Sequence, residues 1–128
     1  MRDVRVSEAT GSVLDWMVAR CEGWDSYDVH SNGQLELERI SDGGHCWLRC
    51  FTPSTDWLQG GPIIEREGIN LNFMQFDSPQ YWTAHIRHSG KVRFGAVGPT
   101  LLVASMRCYA ASNLGDIVEV PEGANHGA

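Results

Sequence analysis

The sequence predicts an α+β fold with two main helices packed on an antiparallel sheet and a structured central loop. Three observations lead there. Two stretches, about 7–22 and 98–114, carry apolar residues at helical spacing between capping residues. The runs 34–39, 46–51, 69–73 and 81–96 alternate apolar with polar residues, the period of half-buried strands. Finally, Ser41-Asp-Gly-Gly44 and Ser89-Gly90 separate neighbouring alternating runs, as hairpin turns do.

In chain order, Val4-Arg5-Val6 reads as a short strand, after which Ser7 or Thr10 caps a helix running to about Glu22, with Gly23 just past its end. Leu14, Met17, Val18 and Cys21 share one arc of that helix and should face the core, with Trp16 packing at its border. From Trp24 to Asn32 a loop is expected, with at most a short strand around 27–30. Leu35 and Leu37 oppose Glu36 and Glu38 in the next strand, and Cys46 to Phe51 forms its hairpin partner.

The stretch Pro53 to Ile69 concentrates positionally demanding residues. Ser54 or Thr55 can N-cap a short helical turn holding Asp56 and Trp57, which Gly60-Gly61 then break. Pro62 suits the first position of a second short helix, and Gly68 is placed to end it. Two readings stand: a binding loop held between two helix starts, or an ordered loop that covers the core.

Beyond it, Ile69, Leu71 and Phe73 should point inward from one strand. In the following hairpin Trp82, Ala84 and Ile86 oppose Tyr81, Thr83, His85 and Arg87. His85 and His88 fall on opposite faces, which argues against a shared metal. Gly98-Pro99 opens the last helix, which runs to about Leu114 and is apolar around most of its axis, with Arg107 as its single charge. Arg107 should therefore be buried and pair with a carboxylate (Asp56, Glu65 or Glu67), reach a pocket, or lie in a subunit contact. Ile117 to Val120 reads as a final strand. The expected organisation is one domain over 1–120 and a flexible tail over 121–128.

Composition narrows the function. The 128 residues carry a net charge of −6, which disfavours a nucleic-acid surface. Charge is unevenly distributed: thirteen of the acids lie in 1–77, and none lies in 78–115, where Arg87, Lys91, Arg93 and Arg107 stand. No stretch approaches the roughly 20 apolar residues of a membrane span, and the N-terminus does not look like a signal peptide. Cys21, Cys46, Cys50 and Cys108 form no Cys-x-x-Cys pair, so reduced thiols without metal are expected.

No nucleophile elbow, metalloprotease helix or phosphate-binding Walker loop is present. Binding has more support. A helix start preceded by Gly, as at Gly61-Pro62 and Gly98-Pro99, offers free backbone N–H groups and a positive dipole end to an anion. In a nucleotide-type site, Trp57 and Tyr109 would stack a base and Gly60-Gly61 would let the ligand approach the backbone. Arg66 and Arg107 would meet phosphates, Asp56 would accept ribose hydroxyls, and Ser54 completes the set.

Three blocks of the chain carry a resemblance. They are Thr10-Gly-Ser-Val-Leu-Asp-Trp-Met-Val-Ala-Arg-Cys-Glu-Gly23, Ser54-Thr-Asp-Trp-Leu-Gln-Gly-Gly-Pro-Ile-Ile-Glu-Arg-Glu67 and Met106-Arg-Cys-Tyr-Ala-Ala-Ser-Asn-Leu-Gly115. In order and spacing they resemble the NinX family of small proteins from lambdoid and other tailed phages. The resemblance implies a phage accessory protein in the host bacterial cytoplasm and supplies no reaction, ligand or catalytic residue. In that context the expected function is binding and sequestration of a small nucleotide-derived ligand, such as an immune signal of the host's antiphage defence. It would act without catalysis or cofactor, in a homo-oligomer with pockets between subunits. Two alternatives stand beside it: an interaction module that engages a host factor through the acidic surface of 1–77, and a small nucleotide hydrolase using Asp56 and Glu65 as acid and base.

Overall fold

A computed structural model describes residues 2–24, 26–29, 35–41, 44–49, 51–75, 79–88 and 91–122, with backbone alone for 26–29, 35–41, 44–49, 88 and 91–94. The order is β1 (Arg2–Arg5), a 3-10 turn (Val6–Glu8), α1 (Gly11–Cys21), β2 (Ser26–Val29), β3 (Leu35–Ser41), β4 (Gly44–Arg49), α2 (Trp57–Glu67), β5 (Asn70–Met74), β6 (Tyr81–His88), β7 (Lys91–Gly98), α3 (Leu101–Leu114) and β8 (Ile117–Val120). The α+β class is as expected, with antiparallel sheets β1-β8, β2-β3-β4 and β5-β6-β7. Among the described residues no helix is long and apolar enough to cross a membrane.

The organising element is α3. Its residues Leu102 to Ala110 are buried without interruption, which a helix achieves only when covered on every side. Strands β6 and β7 cover one side, and α1 and α2 cover others. Contact with the sheet is close: a Cβ placed on Gly98 would lie 2.7 Å from the Ala104 nitrogen. Helix α1 supplies Val13, Leu14, Met17, Val18 and Ala19 to the same core, while Trp16 is buried with the Arg20 guanidinium over its ring. Strand β1 lies against β8, with Arg2 opposite Val120 and Arg5 opposite Ile117. The β6–β7 register places His88 opposite Lys91, as a two-residue connection requires.

Two expectations fail here for identifiable reasons. Phe73 is 42% exposed instead of inward, because α3 runs over β6 and β7 and does not cover the edge strand β5. The Phe73 ring rests on Trp82 instead, with centroids 4.9 Å apart. The central stretch is also not two short helices parted by glycines. Residues Trp57–Glu67 form one helix, with Gly60, Gly61 and Pro62 inside it.

Packing explains why α2 continues. Gly60 and Ile63 are buried and Ile64 rests on the core, so this face is held from outside whatever its local propensity. Pro62 cannot donate to Leu58 O, but Leu58 is 87% exposed and water can take that carbonyl. The cap is Asp56, not Ser54 or Thr55; its carboxylate accepts from Leu58 N at 3.0 Å and from Gln59 Nε2 at 3.1 Å. Gly68 ends the helix in the left-handed conformation, as expected, with φ of 64°.

Candidate functional site

A groove of about 290 Å³ lies between the turn that precedes α2 and the first turn of α3, lined by Ser54, Thr55, Trp57 and residues 100–103. The turn is tied down from several directions. Thr52 O accepts from Thr55 N at 3.1 Å and Asp56 N at 2.9 Å, while Gln59 Oε1 reaches back to accept from Thr52 N at 3.0 Å. Behind it Gly60 admits the chain: a Cβ there would stand 2.4 Å from Pro53 O and 2.7 Å from Leu102 Cδ2.

One wall is Trp57, 56% exposed on the first turn of α2. The other is the start of α3, where Thr100 Oγ1 accepts from Val103 N at 3.1 Å and Thr100 O accepts from Ala104 N at 3.0 Å. That leaves the amides of Leu101 and Leu102 without a partner among the described residues, at the positive end of the longest helix. Ser54, only 1% exposed, lines the same groove, and its Oγ has no hydrogen-bond partner among the described residues.

Beneath Ser54 lies Asp15 of α1, also buried, whose Oδ1 accepts from Ser54 N at 2.9 Å. Burial pushes the Asp15 carboxyl up to about 7, although the Ser54 amide and nearby hydroxyl both favour its ionised form. The hydroxyl influences Asp15 without meeting it in hydrogen-bonding geometry.

The structure distributes the eight sequence-derived site residues over three places. Ser54 and Trp57 line the groove, while Asp56 and Gly60 do not line it but hold the adjoining turn and helix, as cap and close approach. Gly61 does not line the groove; a Cβ added there would make only an ordinary contact, 3.7 Å, with the Trp57 ring.

Arg66 and Tyr109 meet each other elsewhere, around Glu22. Arg66 grips Glu22 with two bonds of 3.1 and 2.6 Å, bonds Glu67 at 2.8 Å, and lies over the Tyr109 ring at 5.8 Å. Tyr109 Oη donates to Glu22 Oε2 at 2.6 Å and accepts from Arg66 Nη2 at 3.1 Å. The bonds to Glu22 and Glu67 hold the Arg66 guanidinium pKa above its ordinary value, while burial followed by the bond to Glu22 raises that of the Tyr109 phenol. Tyr109→Phe should cost about 1 kcal/mol in urea unfolding at pH 7 with an unchanged m-value. No loss of stability would mean that the three-residue network is incidental to the fold.

Arg107 stands in the third place, and here the expected carboxylate partner is absent among the described residues. It is 8% exposed, as expected, but its Nε and Nη1 donate to the carbonyls of Ala9 and Val97, each at 2.9 Å. Asp56 and Glu67 are occupied in and around α2, on another side of α3. Burial draws the Arg107 guanidinium pKa down, and the Glu8 carboxylate pulls it partly back.

Three residues of these sites escaped the sequence reading, although each leaves a trace. Asp15 is an acid inside the apolar run Val13-Leu-Asp-Trp-Met17, and Glu22 places a negative charge at the wrong end of a helix dipole. Thr100 is a standard N-cap type directly after Gly98-Pro99. Cys21 and Cys108 are free, their thiols pushed by burial up to about 12 and about 11. No three metal-ligating side chains gather among the described residues. The side chains of Cys46 and Cys50, and the acidic surface around Glu36 and Glu38, fall outside those described.

Comparison with known proteins agrees with this architecture. The family model described as "Bacteriophage P22, NinX" matches residues 5–113. A phage protein from Bacillus cereus ATCC 14579, solved by crystallography at 2.0 Å, shares 16% identity over 80% of this chain and 85% of its own, with a TM-score of 0.56. At that identity the likeness concerns the fold alone. No curated protein matches the chain.

Proposed function

Because this chain belongs to the bacteriophage P22 NinX family, we propose that it serves the phage in the host cytoplasm by binding and sequestering a small nucleotide-type ligand, without catalysis, in the groove between Ser54, Trp57 and the start of α3. The observation that carries this reading is the Ser54 hydroxyl, buried in the groove wall and unpaired among the described residues. A buried polar atom without a partner is costly, and a ligand that hydrogen-bonds it removes the cost. Trp57 supplies a stacking face for a base, and the amides of Leu101 and Leu102, unpaired among the described residues, suit a phosphate.

The cation role foreseen for Arg66 and Arg107 passes to the helix start in this reading, since Arg66 is held by Glu22 and Glu67 and Arg107 by two carbonyls. A groove of about 290 Å³ lies at the lower end of the range for small-molecule sites, which suits one mononucleotide unit. Calorimetric titration with nucleotides, cyclic dinucleotides and ADP-ribose derivatives should find a ligand. Trp57→Ala and Ser54→Ala should each weaken its binding about tenfold, or 1.4 kcal/mol, while Arg66→Ala leaves it unchanged. If the folded protein binds none of these compounds, the sequestering function is lost.

One observation favours a second reading, a protein-interaction module. Leu58 is 87% exposed beside the exposed Trp57, a pair well suited to seat on a host factor. Leu58→Asp separates the two: it would abolish capture of a protein partner and spare nucleotide binding.

A further inference from the structure

A second cavity, of about 200 Å³, lies further along α3, between β1 with its 3-10 turn and strand β7; Arg5, Ser7, Gly95, Arg107 and Asp116 are among its lining residues. We propose that it is an anion site that takes a compact oxyanion, a carboxylate or a phosphate group, between the guanidinium groups of Arg107 and Arg5. The argument begins with Arg107, a cation 8% exposed with no carboxylate partner among the described residues. Its two carbonyl partners orient the fork and satisfy Nε and Nη1, but they carry no net charge to offset a buried cation. Nη2 remains without a partner among the described residues and is not sealed from solvent.

Arg5 adds a second charge on the same cavity, and its side chain has no ion pair or hydrogen bond among the described residues. Ser7 offers a hydroxyl to the same space. Two carboxylates temper the field: Asp116 in the wall and Glu8, which acts on Arg107 through space. Two guanidiniums facing one wall carboxylate favour a single compact oxyanion over a polyphosphate chain, which Asp116 would repel. A guanidinium fork presents parallel N–H donors matched to two oxygens of a carboxylate or phosphate.

The test uses the full chain, titrated with inorganic phosphate and with acetate at constant ionic strength, against chloride as control. Two signals are followed: the Arg107 Nε–H resonance and the Ala96 amide. Saturable shifts of both are expected with at least one oxyanion. Arg5→Ala is the informative variant, because Arg107→Ala would strand the buried Ala9 carbonyl and remove the bond to Val97, and could unfold the protein. Arg5→Ala should weaken the oxyanion at least tenfold, whereas Ser54→Ala and Trp57→Ala, at residues that line the other groove, should leave it unchanged. Shifts no larger than those with chloride, or shifts undiminished in Arg5→Ala, would overturn the proposal. Neither outcome bears on nucleotide binding in the Ser54 groove.

Discussion

Asp15→Asn is expected to stabilise the protein by about 4 kcal/mol at pH 8 and by almost nothing near pH 4. In the native state burial holds the Asp15 carboxyl near 7, against 3.8 for the exposed group. Between those values the folded chain keeps a proton that the unfolded chain has released. The stability contributed by the protonated acid is therefore complete below about pH 4 and is lost as pH rises through about 7. About three units at 1.36 kcal/mol per unit give the expected difference. Asparagine keeps the shape, and its carbonyl can still accept from Ser54 N. Urea unfolding of both proteins at pH 4.5 and pH 8 decides the matter. Parallel stability profiles would show that Asp15 titrates as an ordinary exposed carboxylate.

Gly60→Ala and Gly61→Ala should move stability in opposite directions although they are adjacent in one helix. An added Cβ at Gly60 would meet the Pro53 carbonyl and the Leu102 side chain at 2.4 and 2.7 Å, and the carbonyl belongs to a turn that is itself bonded on both sides. Overpacking of this kind costs about 1–3 kcal/mol, and more than the roughly 1 kcal/mol of helix propensity that alanine gains must be lost for the net effect to be unfavourable. We expect a net loss of about 2 kcal/mol, because backbone cannot swing aside as a flexible side chain can. At Gly61 the new Cβ would make an ordinary contact with Trp57, so the propensity gain of up to about 1 kcal/mol should survive. Chemical denaturation midpoints measure both. Equal shifts of the same sign would sink the account. Gly60→Ala should also weaken ligand binding in the groove, since the turn it displaces carries Ser54 and leads directly into Trp57.

Much of the framework was readable before any coordinates. The alternation of 34–39 and 69–73, the Ser89-Gly90 connection and the two capped helices place β3, β5, the β6–β7 hairpin, α1 and α3 within a few residues, because period and cap chemistry are local. The apolar residues placed all around the axis of 98–114, with Arg107 as the single charge, likewise announced a covered helix and a buried Arg107. What local chemistry could not decide was what each side chain meets. Gly60-Gly61-Pro62 reads as a break, yet burial of Gly60 and Ile63 against α3 and the Pro53 turn outweighs three poor helix formers. Arg66 reads as a free cation until α1 brings Glu22 to it from 44 residues away. Arg107 finds carbonyls instead of a carboxylate because the turn after β1 and the end of β7 converge on it while the acids of α2 lie on another side of α3. The groove itself joins residues near 54 to residues near 100, and the turn that carries Ser54 is held from beneath by Asp15 of α1, 39 residues away. Pairings across such distances depend on how the layers pack, a balance of many weak contacts that no short stretch of sequence contains.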